Sequence, residues 1–212
     1  MKIVMICSDM QLILDGLRDG IRADDKIDDV ITVTDGHSAL QMLDLYRPDV
    51  LVLAMTDPSQ SVQVARTCST KWSQVRTLIL SSDVRPAFRY VAHQYGVSEV
   101  MSTRAGLEEI LDHLESIIVG KSQVRNTEVQ LVERELKDSG YLPLIQAREV
   151  DREILSYVCD GLTDREIADR VYLSPQTVRN RISAMLQRCG KSNRTQLAIM
   201  YAPISSMLNK TA

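Results

Sequence analysis

Apolar positions in the first 118 residues follow two alternating rhythms. The runs "KIVMIC" (2–7), "DVITV" (29–33), "DVLVLA" (49–54), "RTLIL" (76–80) and "SEVMS" (98–102) are short and rich in β-branched residues, which predicts strands. Each is followed by a segment of helical period. Residues 10–23 carry Leu12, Ile13, Leu17 and Ile21 on one face, and residues 38–46 are helical until Pro48 stops them. Further helices are expected over about 60–71, from Pro86 to about residue 95, and over 105–119, the last with Leu107, Ile110, Leu111, Leu114, Ile117 and Ile118 as its buried stripe. The 49–54 run is apolar on both faces, as a central parallel strand must be. Five strand–helix repeats imply a parallel sheet covered on both sides, with any site in the crevice beyond the carboxyl ends of the strands.

The rhythm breaks at 119–144. "GKSQVRN" and "KDSGYLP" bracket a short charged helix, 127–137, with Thr127 and Gln130 spaced as a capping box. This stretch reads as a linker carrying a spacer helix. The remainder is helical. One helix spans 147–160 and ends at Gly161; Thr163 caps another over 164–171; Ser174 and Pro175 open a third that ends at Gly190; a fourth runs from Arg194 to about residue 201. The expected domains are therefore 1–119, a linker at 120–144, and 145–212.

Charge sharpens this division. The 212 residues have a net charge of −3, yet residues 1–120 hold 11 basic and 17 acidic side chains while 145–212 hold 10 and 7. From Arg170 onward there are seven basic residues and no acid. One module that avoids polyanions and one that seeks them is the implied arrangement. Lacking an apolar run of ~18 residues, the chain is expected not to span a membrane, and "MKIVMICSDM" does not read as a signal peptide, so a cytoplasmic location is expected. Cys7, Cys68, Cys159 and Cys189 have no CxxC spacing and read as small hydrophobes; His37, His93 and His113 are not spaced as ligands. No metal or cofactor is expected.

Two short helices joined by a tight turn, the second opening "SPQTVRNR", form a helix-turn-helix pattern. At ~100° per residue, Val178, Ile182, Met185 and Cys189 fall on one side of the second helix. Gln176, Arg179, Asn180, Ser183 and Gln187 fall on the other, and the helix contains no acid. Arginine and asparagine in the first turns are the residues that read guanine and adenine in a major groove. Thr177 opens the same helix beside them. Arg181, Arg188, Lys191, Asn193 and Arg194 flank the face as candidate phosphate contacts. The 55-residue stretch beginning "AREVDREIL" and containing "GLTDREIA", "LSPQTVRNRI" and "NRTQL" resembles the LuxR-type DNA-binding domain of NarL/FixJ response regulators. The resemblance implies groove-facing positions for Arg179 and Asn180. It departs at Arg181, where the family usually has histidine, and at Ser183, where it often has a basic residue.

With that module behind it, the first resembles the receiver domain of the same family, implying a flavodoxin-like five-stranded parallel fold. Receiver chemistry needs an aspartate after the third strand as phosphoacceptor, a pair of acids after the first strand for Mg²⁺, a lysine after the fifth, and a switch hydroxyl after the fourth. On this pattern the positions fall on Ala54, on Ser8 and Asp9, on Thr103, and on Ser81. Alanine has no nucleophile. Asp57 is three residues on, ~10 Å along an extended chain, and reads with Pro58 as a turn; Asp49 sits at the wrong end of its strand. Asp9 reads as a helix N-cap, and Ser81 with Ser82 as turn and cap residues.

These features predict a sequence-specific, non-enzymatic transcription regulator that binds double-stranded DNA as a homodimer. Its receiver-like module would be inert at the usual phosphorylation site and controlled by pairing, by a protein partner or by a small ligand. An auxiliary protein that acts by pairing with another regulator is the alternative. A catalyst in the open crevice is disfavoured, since no phosphate loop or nucleophile–base arrangement is present.

Overall fold

The computed structural model describes residues 2–120 and 126–208, with side chains of 126–129 excluded. The chain divides into two compact units, Met1–Val129 and Gln130–Ala212. The capping box expected of Thr127 and Gln130 lies outside the described residues.

The first unit alternates β1 (Ile3–Cys7), α1 (Gln11–Arg22), β2 (Asp29–Val33), α2 (Gly36–Tyr46), β3 (Val50–Leu53), α3 (Pro58–Lys71), β4 (Arg76–Ser81), α4 (Pro86–Gln94), β5 (Glu99–Ser102) and α5 (Leu107–Ile118). All neighbouring strands pair in parallel, in the order β2-β1-β3-β4-β5. β3 is buried along its whole length, as its unbroken apolar run requires. Ile6, Val52, Leu80, Leu114 and Ile117 belong to one continuous core beneath α1 and α5. Because strand order reverses about β1 and β3, the crevice opens beyond Cys7 and Leu53, which lie opposite each other in register.

Helix starts differ from the sequence expectation where side-chain caps extend them. The Asp35 carboxylate accepts from the Ser38 amide and starts α2 at Gly36. Asp57 accepts from the Ser59 amide, and Pro58 follows at the first helical position, so α3 begins before residue 60.

The second unit holds the described part of α6 (Asn126–Asp138) from Gln130 onward, α7 (Leu142–Ile145), α8 (Glu149–Cys159), α9 (Asp164–Val171), α10 (Pro175–Cys189) and α11 (Arg194–Leu208). Part of the stretch read as a linker is therefore packed structure. Leu136, Leu144 and Ile145 are buried, and Gly140, at φ +80°, lies where a Cβ would stand 2.4 Å from the Cys189 carbonyl oxygen. α11 also outruns its expected end near Tyr201, although Pro203 lies inside it. A proline costs ~3 kcal/mol inside a helix. Ile204, Met207 and Leu208 are buried beyond it, each worth ~1.5–3 kcal/mol, which outweighs that cost.

No helix among the described residues is long and apolar enough to cross a membrane. Among them no three or more His, Cys, Asp or Glu side chains come together as a group that could hold a metal ion.

Candidate nucleic-acid interface

α10 presents two chemically opposed faces. Val178, Ile182, Met185 and Cys189 are buried. Gln176, Arg179, Asn180, Ser183, Gln187 and Arg188 are exposed. The helix is started by Ser174, whose hydroxyl accepts from the Thr177 amide at 3.1 Å, with Pro175 at the first position. It stops at Gly190, which takes the left-handed conformation at φ 64°. On the outer face the Gln176 amide donates to the Asn180 side-chain oxygen at 2.9 Å, so the two side chains are ordered together.

The turn before α10 is equally built by its sequence. α9 begins in a capping box: the Glu166 amide donates to the Thr163 hydroxyl, and the Glu166 carboxylate accepts from the Thr163 amide at 2.7 Å. The bonds from Thr163 hold the Glu166 carboxyl below its ordinary range. α9 ends at Tyr172, left-handed at φ 53° and 94% exposed.

The basic residues expected around this face separate into two groups. Arg188 is exposed and Lys191 half-buried. Arg181 instead directs its guanidinium to Asp151 of α8 at 2.6 Å, an acid that is 7% exposed, so its place in the structure is that of an interhelix ion pair. Arg194 donates to the Leu162 carbonyl at 2.5 Å and lies 3.5 Å from Asp164. The Asn193 side-chain oxygen accepts from the Gln196 amide at the start of α11, making it a helix cap. Asp164, at the first position of α9, also lies 3.1 Å from Nε of Arg179. Neither acid was singled out for these pairings in the sequence; both lie in regions of the chain where acids and bases mix freely.

In the first unit the topology gathers Ser8, Asp9, Ala54, Ser81 and Thr103 at the carboxyl ends of β1, β3, β4 and β5. Ala54 is fully buried, and its amide donates to the Cys7 carbonyl at 2.8 Å. The buried Ser8 hydroxyl donates to the Ala54 carbonyl at 2.6 Å and accepts from the Met10 amide at 3.1 Å. Asp9 is not the helix cap that the sequence suggests. Met10 occupies that position without a side-chain cap, because Ser8 already holds the turn; the Asp9 carboxylate accepts from the Thr56 amide at 2.8 Å. Ser81 is buried and its hydroxyl accepts from the Asp83 amide at 3.0 Å, a turn role. Thr103 is exposed, with its amide bonded to the Ser81 carbonyl. Asp57 bonds both the amide and hydroxyl of Ser59, and Asp49 accepts from the Ile3 amide at the opposite end of the sheet.

Residues 147–201 match the family of bacterial regulatory proteins of the luxR type. The second unit is a luxR-family domain. It follows a unit whose five-stranded parallel sheet has the order β2-β1-β3-β4-β5. The chain is 27% identical over 199 residues to the DNA-binding transcriptional activator DevR/DosR of Mycobacterium tuberculosis, covering 92% of each. It is 23% identical over 218 residues to the transcriptional regulatory protein DegU of Brevibacillus brevis, covering 92% of this chain and 91% of that one. In fold it is similar to the RcsB response regulator in its DNA complex, with a TM-score of 0.62 at 15% identity over 96% of this chain and 98% of that one. It is also similar to the structure of a signal receiver domain from Mycobacterium tuberculosis, with a TM-score of 0.53 at 24% identity over 56% of this chain and 97% of that one.

Proposed function

We propose that the chain is a sequence-specific DNA-binding transcription regulator in which α10 reads the major groove and the receiver-type unit works without phosphorylation. The outer face of α10 carries the first part of this reading: Arg179 and Asn180 stand exposed in its first turns, opposite a fully buried apolar face, on a helix without an acid. Gln176, Thr177 and Ser183 complete the base-facing set. Arg188 and Lys191 meet phosphates, while Asn193, Arg194 and Arg181 shape the surface through their internal bonds. The activator and RcsB similarities support the same reading, and RcsB has been solved as dimers bound to DNA.

The second part follows from Ala54. It occupies the phosphoacceptor place without a nucleophile, and the neighbouring Ser8 and Asp9 are engaged by backbone groups rather than directed at a metal. The unit then contributes binding surface in place of chemistry, through pairing with a second copy, a partner protein or a small ligand. Dimerisation would double the DNA site and its affinity.

Selection from random duplex DNA by the full chain tests the proposal. It should enrich a defined motif. Arg179→Ala and Asn180→Ala should each flatten preference at particular bases, at ~1–3 kcal/mol, whereas Lys191→Ala should weaken all sequences alike. Acetyl phosphate with Mg²⁺ should leave affinity unchanged. Absence of any enriched motif overturns the DNA-reading role, and a phosphodonor-dependent change in affinity overturns phosphate independence.

A further inference from the structure

We propose that Asp164 is a positioning residue for base reading: it fixes the guanidinium of Arg179 and so sets the base preference at the position Arg179 meets. The inference rests on α10 being the groove-reading helix.

Arg179 leaves α10 with 63% of its side chain exposed, and an arginine so placed has many rotamers to lose on docking. Asp164 is anchored where Arg179 is not. It sits at the first helical position of α9, directly after the Thr163 capping box, with its side chain 22% exposed. A second arginine, Arg194, approaches its other oxygen at 3.5 Å, while another nitrogen of the same guanidinium donates to the Leu162 carbonyl. The carboxylate is thus held by its own helix and by α11, and it takes Nε of Arg179 across 15 residues of sequence.

The choice of nitrogen matters. With Nε engaged, the two Nη groups form the outer edge of the guanidinium. That edge has the fork geometry that bonds O6 and N7 of guanine. A carboxylate at a DNA-facing surface would ordinarily weaken binding by repelling phosphates. Here it faces two guanidinium groups, so the cluster of Arg179, Asp164 and Arg194 keeps a net positive charge. An acid retained between the two helices of a helix-turn-helix, with both oxygens on arginines, acts by orienting one of them.

The test uses the full chain and the motif it selects. The base pair whose preference disappears in Arg179→Ala is identified first, and binding is measured to all four bases there. Asp164→Asn should lower the preferred-base discrimination at that pair about tenfold, leaving other positions and the salt dependence unchanged. In the double variant with Arg179→Ala, the Asp164→Asn effect should vanish. Asp164→Glu keeps the charge and suits a first helical turn, but moves the carboxylate by one methylene; it should lose discrimination at the same pair. Unchanged discrimination at that pair in both variants overturns the inference, including the case where affinity shifts equally on every sequence and the discrimination stays intact. If Arg179→Ala flattens preference and the Asp164 variants do not, this inference alone fails. If the parent chain selects no motif, the DNA-reading role itself fails.

Discussion

The Ser8 hydroxyl donates to the Ala54 carbonyl, 2.6 Å away, across the mouth of the crevice. Only a donor can occupy that place. An ionised carboxylate at position 8 would bring one anionic oxygen against a carbonyl oxygen and leave both without a proton between them. Ser8→Asp is therefore expected to destabilise the first unit by ~1–3 kcal/mol. Ala54→Asp buries a charge at a fully buried position and should cost a similar amount or more, without restoring phosphorylation. Thermal unfolding and intact-mass analysis after acetyl phosphate treatment check both. An Ala54→Asp chain that is stable and gains a phosphoryl group contradicts this expectation.

Arg181 and Asp151 join α10 to α8 at 2.6 Å, with side chains 31% and 10% exposed. Removing the arginine leaves a nearly buried carboxylate facing Arg148 at 3.7 Å. Arg181→Ala should destabilise the second unit by ~1–3 kcal/mol. Asp151→Asn should cost less, because the amide still accepts from the guanidinium. The base preference of the folded variant should match that of the parent chain. Urea unfolding followed by motif selection separates stability from reading; a flattened preference in a stably folded Arg181→Ala chain would return this residue to the DNA face.

Gly140 lies in the left-handed region at φ +80° and against the Cys189 carbonyl, where a Cβ would stand 2.4 Å from the oxygen. Gly140→Ala meets both obstacles, and backbone at the end of α10 must move to admit it. An expected loss of ~2–3 kcal/mol follows. If the close approach to Cys189 did not matter, calorimetry would show only the ~1 kcal/mol cost of the left-handed backbone.

Burial pushes the Cys7 thiol up to about 12, with the Asp35 and Asp9 charges adding to the shift, and burial alone pushes Cys68 to about 11, from an ordinary 9.0. The native chain keeps these protons at pH values where the unfolded chain has released them. Their contribution to stability is complete below about pH 9 and is lost as pH rises towards 11 and 12. Cys7→Ala should flatten the fall of melting temperature between those limits. In the native protein at pH 8, iodoacetamide should reach half-buried Cys159 well before buried Cys7 or Cys68, as peptide mass analysis would report.

The legible parts of the molecule were those with a period. The two faces of α10 follow from a 3.6-residue repeat, and all four apolar positions are buried. The β3 run pointed to Ala54 because an unbroken apolar strand must end in the crevice of a parallel sheet. Pairings through space left no such trace. Arg181 and Asp151 are 30 residues apart, and which of several nearby acids an arginine meets is settled by helix packing. Asp9 misled for a local reason: Ser8 had already satisfied the turn before α1. The end of α11 was hidden because Pro203 reads as a stop when the burial beyond it is unseen.

A single guanidinium fastens the second unit across most of its length. Arg152 of α8 donates to the carbonyls of Ile145 and Ala147 on one side and of Leu208 on the other, the last 56 residues away in sequence. Two of these three acceptors lie outside 147–201, the stretch by which the domain is recognised. The evolutionary signature and the folding unit therefore differ in extent. A fragment cut to the signature would strip Arg152 of two of its three acceptors and expose Met200, Tyr201 and their neighbours, whereas one running from α6 through Leu208 keeps the clasp closed.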